Sequence, residues 1–296
     1  MELILGIETG TDICSVSLSR DGELIALRES SDGQDHARRL AVYIDEILRE
    51  NGLKPADLDA IAVGKGPGSY TGLRIGVSTA KGLCYALGIP FIAVGSLESL
   101  AWVAVDKHRA GRLGGVGSGS VDTGCDAIGG VRDWDSALLC PMIDARRMEV
   151  YAQVFDSSLH ALGEVEAHVV TPGSFAEFIG SGNFDDGSLA SARPDCSADP
   201  PYSTRSDLIT HSVSSVRSAH PDFPAREFVI FGNGAAKCVD ILPRDGLRYV
   251  DVAPSARGLV RPAYEAFIAG RFEDIAYFEP LYLKDFVVTT AKKKVL

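Results

Sequence analysis

Glu8 ends the apolar run LILGIE and is followed at once by Thr9, Gly10 and Thr11. A carboxylate at that position can orient a metal or a water, and the amides and hydroxyls of a Thr-Gly-Thr turn can meet a phosphate. An acid at a strand end is as readily solvated or bonded to a neighbouring amide. The stretch GKGPGSYTGLRIGVSTAKG, residues 64–82, is glycine-rich and feeds a helix, whose first amides lack partners within the helix. Gly66, Gly68, Ser69 and Thr71 therefore form a place where an anion can sit, with Ser69 or Thr71 as the cap. The stretch is neither a Walker loop nor a dinucleotide fingerprint, because Ser69 stands where Gly-x-Gly-x-x-Gly needs glycine. Gly232 and Gly234 repeat the strand-Gly-x-Gly pattern after FVIF. Asp144, Arg146, Arg147 and Glu149 can clamp a carboxylate or phosphate, although charged turns are usually solvated.

Other chemistries lack their residues. One turn after His36 stands Leu40, and no His-x-x-x-His or His-Glu-x-x-His occurs, so no metal site is expected. No Gly-x-Ser-x-Gly elbow supports a serine hydrolase. The six cysteines lie far apart without a Cys-x-x-Cys pair and read as reduced thiols.

These residues need elements to position them. LILGIET and CSVSLSRDGELIALRES predict a β-meander, with Asp21-Gly22 as a hairpin turn. HARRLAVYIDEILRE, residues 36–50, spaces Ala37, Leu40, Ala41, Ile44, Ile47 and Leu48 as one helical face. AIAVG predicts a further strand, and Pro67-Gly68 suits the centre of a type II turn. In the following helix, residues 72–87, Gly72, Gly76, Ala80 and Cys84 recur every four positions, a small-residue face that lets another backbone approach closely. That backbone belongs either to this chain or to another subunit.

The opening grammar recurs. LLCPMIDARRMEVYAQVF pairs Ile143-Asp144 with Ile7-Glu8, and FVIFGNG aligns Gly232 and Gly234 with Gly64 and Gly66, which reads as a duplicated α/β unit. The expected organisation is an N-terminal subdomain 1–106, a Gly-rich insertion 107–136 holding eight glycines, and a C-terminal subdomain 137–296. The latter carries a Ser/Pro-rich insertion at 181–227 with ten serines and five prolines. At 296 residues and 46% apolar composition the chain can bury a core unaided. Its net charge of −11 repels phosphate backbones and anionic lipid, arguing against autonomous nucleic-acid binding. MELILGIETG is neither a signal peptide nor a membrane span, so a cytoplasmic location is expected, with no membrane.

With ILGIETG, GPGSYTGLRIG, DARRMEVYA and EPLYLKDF in that order, the chain resembles the bacterial tRNA threonylcarbamoyladenosine biosynthesis family TsaB, also called YeaZ. The resemblance implies a duplicated actin-like ATPase (ASKHA) fold, α/β, with two subdomains each carrying a mixed sheet and flanking helices. It implies a non-catalytic scaffold or activator that pairs with the transferase TsaD and the ATPase TsaE and meets tRNA only through that complex. Two features depart from the relatives' patterns. The His-x-x-x-His pair of TsaD-like proteins is missing at His36 and Leu40, and Glu8 replaces the usual Asp before a Thr-Ser turn. Glu8, Thr9, Gly10, Gly66, Gly68, Ser69, Thr71, Gly232 and Gly234 then mark a vestigial phosphate site. No catalytic residue and no cofactor is expected, with ATP or ADP only at a complex interface. The expected partner surface comprises His36, Leu40, Tyr43, Ile44, Ile47, Gly72, Gly76 and Ala80, and a homodimer through the same patch is the expectation when TsaD is absent. The alternative is an active ATP-dependent transferase or kinase of the same superfamily.

Overall fold

The computed structural model describes residues 1–30, 36–111, 131, 133–179 and 227–284. Its elements, in chain order, are β1 (Leu3–Glu8), β2 (Cys14–Arg20), β3 (Glu23–Ser30), α1 (His36–Glu50), β4 (Ala60–Gly64), α2 (Tyr70–Leu87), β5 (Phe91–Val94) and α3 (Ser96–Arg109). The second half follows with β6 (Leu138–Asp144), β7 (Glu149–Ala152), β8 (Glu166–Val169), β9 (Phe228–Phe231), β10 (Leu247–Val250) and α4 (Val260–Ile268).

Two five-stranded sheets form, in the orders β3-β2-β1-β4-β5 and β10-β9-β6-β7-β8. Replacing each strand of the first half by the one five places later converts one order into the other, read backwards. The pairing senses agree as well: β1-β2 and β2-β3 are antiparallel like β6-β7 and β7-β8, while β1-β4 and β4-β5 are parallel like β6-β9 and β9-β10. The duplicated unit, with two mixed sheets, is therefore present.

The glycine echo needs a correction. Ile4 pairs with Ala60 in the first sheet and Leu138 with Phe228 in the second. Carried to the strand ends, these registers set Gly64 beside Glu8 but Gly234, not Gly232, beside Asp144. A two-residue slip keeps every side chain on its own face, so the sheet tolerates it. The type II turn is corrected too. Such a turn needs positive φ at its third residue, whereas the positive φ here is at Gly66 (102°), ahead of a cis Gly66–Pro67 peptide, and Gly68 has none. The Asp21-Gly22 hairpin has the two left-handed residues expected of it (φ 51° and 80°).

The parallel strands are buried on both faces. On one face of the first sheet, Leu5, Ile7, Ile61 and Val63 meet Leu40, Ile44 and Ile47 of α1 and Val77 and Ala80 of α2. On the other, Ile4, Ala62, Ile92 and Val94 meet Ala256, Leu259, Ala263 and Ala266 around α4. Reciprocally, α3 leaves the first sheet and lays Leu97, Leu100, Ala101 and Ala104 on Leu139, Val229 and Phe231 of the second. Each half thus covers its counterpart's sheet with the helix that follows its own last strand.

The opening residues of the segment expected as a Gly-rich insertion, 107–109, are the last turn of α3. His108 stacks on the buried Trp134, ring centroids 4.4 Å apart. Most of that segment, and 181–226 of the Ser/Pro-rich one, lie outside the described residues.

Candidate functional site

The β1–β2 turn and the loop entering α2 meet as the sequence suggests, and they close on each other. Glu8 is 2% exposed. Its Oε1 accepts from the Gly10 amide (2.8 Å) and its Oε2 from the Ser96 hydroxyl (3.1 Å). Burial pushes its pKa above the ordinary carboxylate value, and the bonds from Gly10, Ser96 and Thr9 offset only part of that. Gly64 lies so close that a Cβ there would be 2.1 Å from Oε2, so the carboxyl fits only because that residue is glycine.

Four of the amides that could cradle an anion are taken. Gly10 N is bonded to Glu8, Ser69 N to the Gly10 carbonyl (2.6 Å), Gly66 N to Ser96 Oγ (3.3 Å) and Gly72 N to Ser69 Oγ (3.3 Å). Ser69 is the N-cap of α2, and Thr71 stands exposed within its first turn. Gly232 and Gly234 lie in the other subdomain, beneath the end of β6: a Cβ on Gly232 would meet the Met142 carbonyl at 2.3 Å, and one on Gly234 the backbone of Ile143 and Asp144. The structure thus gathers Glu8, Thr9, Gly10 and Gly66 into one buried knot, with Gly68 half-buried and Ser69 exposed at its edge, and leaves the second glycine pair apart from it. Among the described residues no group of three His, Cys, Asp or Glu is placed to hold a metal ion.

A strap that sequence reasoning missed crosses this knot. Glu273 N bonds the Phe91 carbonyl, Lys81 Nζ donates to the Phe278 carbonyl (2.8 Å), and Leu281 N to that of Lys65 (2.7 Å). Tyr282 leans on Tyr70, ring centroids 4.8 Å apart, and Lys284 reaches the β6–β7 hairpin at Glu149 and Ala145. EPLYLKDF was visible as a motif, but no spacing rule links Leu281 to Lys65. Ser96 was missed for the same reason, being 88 residues from the acid it serves.

The expected partner surface requires correction. Leu40, Ile44 and Ile47 are core residues, and Tyr43 is half-buried against Arg39. His36 is half-buried and its Nε2 lies 2.9 Å from the Thr11 carbonyl. The small-residue face is filled from within: a Cβ on Gly72 would be 2.0 Å from the Thr9 carbonyl and one on Gly76 2.3 Å from Thr9 Oγ1, while Ala80 is fully buried. Glycines let a backbone approach, as expected, but the approaching backbone is the β1–β2 turn of the same chain. What the two helices leave open is their other side: Ala37, Arg38, Ala41, Val42, Asp45 and Arg49 of α1, and Arg74, Ser78, Gly82 and Tyr85 of α2, Tyr85 being 81% exposed.

A family model described as TsaD, tRNA N6-adenosine threonylcarbamoyltransferase, matches residues 30–111. The TsaB protein of Haemophilus influenzae is 38% identical over 107 residues, 36% of this chain and 45% of that protein. That of Bacillus subtilis is 34% identical over 152 residues, 51% and 54%. The resemblance is to TsaB. The chain spans about half the length of the curated TsaB relatives it matches. YeaZ from Pseudomonas aeruginosa, 22% identical, superposes with a TM-score of 0.63 over 96% of this chain and 100% of that one, so the fold likeness extends through both halves. No helix among the described residues is long and apolar enough to cross a membrane.

Proposed function

We propose that this chain is a non-catalytic subunit of the machinery that installs N6-threonylcarbamoyl on tRNA adenosine, pairing with TsaD, and with TsaE, through the open side of α1 and α2. The observation that carries this reading is the closed knot at Glu8. Its acid is buried and bonded to Gly10 and Ser96, and the amides of Gly10, Gly66, Ser69 and Gly72 are bonded internally, in a chain similar to proteins named TsaB. An enzyme needs its acid and its anion donors turned toward a ligand. Among the charged residues of the outer side of α1 and α2, Ala41, Ser78 and Gly82 let backbones approach and Tyr85 can anchor, which suits helix-on-helix association.

The test is co-expression with TsaD. Gly82→Arg and Tyr85→Ala should each reduce co-purification without lowering the melting temperature of the isolated chain, since nothing lies within 4 Å of a Cβ at Gly82. The wild-type chain should restore threonylcarbamoyladenosine in tRNA of cells lacking their own TsaB, and Glu8→Gln should restore it equally. Pairing untouched by both helix variants refutes the surface. Modification of tRNA by the chain alone, or micromolar ATP binding lost in Glu8→Gln, refutes the non-catalytic role.

A further inference from the structure

The β6–β7 hairpin carries charge that the Glu8 knot does not use. Its turn places two consecutive non-glycine residues, Arg146 (φ 70°) and Arg147 (φ 52°), in the left-handed region. Glycine, Asn or Asp normally fills such turns, because a longer side chain there crowds its own backbone. The neighbourhood holds the turn in place. Lys237 Nζ donates to the Asp144 carboxylate and to the carbonyls of Arg147 (3.0 Å) and Glu149 (2.6 Å). Asp144 Oδ1 accepts from the Arg146 amide (3.0 Å), and Asn233 Oδ1 accepts from the Asp144 amide (3.1 Å).

The charges divide unequally. Lys237 neutralises Asp144, and Lys284 neutralises Glu149. The guanidinium groups of Arg146 and Arg147 are exposed and have no acid partner among the described residues. Two positive charges uncompensated by any described residue thus stand together on a chain of net charge −11. The duplication makes the contrast sharper. In the first half the matching hairpin tip is buried beneath α2, whereas in the second only a single helical turn at Ala236–Cys238 takes the place of α2, and the tip stays open.

We propose that the Arg146-Arg147 tip is a contact for the phosphate backbone of RNA, a role that rests on the tRNA-modification reading above. Planar guanidinium forks match phosphate oxygens two at a time, and a strained turn that is pinned from below presents both without a reordering cost. The rest of this acidic chain repels RNA, so the contact operates when a partner subunit also holds the nucleic acid.

The experiment uses the complex of this chain with TsaD and an unmodified tRNA transcript, with binding followed by fluorescence anisotropy from about 50 to about 200 mM salt. The R146G/R147G variant keeps a backbone that tolerates the turn, and R146K/R147K keeps the charge. Each lost phosphate contact lowers the salt slope by about one, so across that range the wild type should lose about tenfold more affinity than the glycine variant. The lysine variant should fall between them. Equal affinity and slope in wild type and glycine variant overturn the proposal. So does a glycine variant that binds tRNA normally but loses TsaD or TsaE, which would make the tip a contact for an acidic protein surface. A wild-type chain that never pairs with TsaD refutes the proposed function, a different result from a paired chain whose arginines make no difference.

Discussion

Gly72→Ala and Gly82→Ala place the same methyl group on the same helix, ten residues apart, with opposite expected signs. Each replacement gains about 1 kcal/mol of helix propensity. At Gly82 nothing lies within 4 Å of the new Cβ, so that gain stands and the chain is stabilised. At Gly72 the Cβ falls 2.0 Å from the Thr9 carbonyl oxygen, a backbone atom at the end of a sheet strand that cannot swing aside. Forcing the two apart costs about 1–3 kcal/mol as overpacking. It also strains the 2.7 Å bond from Thr9 Oγ1 to the Gly72 carbonyl, worth about 1 kcal/mol. The net effect is a loss of about 1–3 kcal/mol, or a melting point lowered by about 2–10 °C, against a rise of about 2–4 °C for Gly82→Ala. Thermal and urea unfolding of the isolated chain, followed by circular dichroism, read both values. A Gly72→Ala chain as stable as Gly82→Ala would refute the packing of α2 on the β1–β2 turn. Gly76→Leu is a poor probe of pairing on the same grounds, since its side chain would enter Thr9 before it met a partner.

Two further outcomes follow from burial. Because the folded state raises the Glu8 pKa above its ordinary 4.5, it holds that proton more tightly than the unfolded chain does. Stability should therefore fall as pH rises above about 4.5 until the folded-state value is passed. The melting advantage of Glu8→Gln over wild type should widen across that window, and a pH-independent difference would show that Glu8 titrates normally. Burial also pushes the thiols of Cys14, Cys84 and Cys238 up to about 11, and that of Cys140 well above its usual value. All four should resist Ellman's reagent at pH 8 until urea is added, and fast labelling of any of them, read by mass spectrometry, would contradict the core described.

The legible parts of the fold were local. The apolar run of β1, the alternation of β2, the Asp-Gly hairpin and the stripe Leu40, Ile44, Ile47, Leu48 each follow from contacts within a few residues, and each element formed where its pattern lay. The duplication was legible as two faint echoes, and strand order then established it. The helical stripe misled in one respect: its apolar face was assigned to a partner, although an amphipathic helix satisfies its own sheet first.

From residue types and spacing alone came the α/β units, the small-residue face of α2, the acid at Glu8 and the arginine pair on a turn. Only the tertiary structure decided which backbone fills that face, that Ser96 and Gly64 seal the acid, that the strap through Lys284 ties the halves together, and that, among the described residues, Asp144 and Glu149 are neutralised while Arg146 and Arg147 are not. The division has a physical cause. Periodicity records the environment a segment requires, whereas a hydrogen bond or ion pair between groups 88 or more residues apart leaves no trace in either local pattern and exists only once packing has brought the two together.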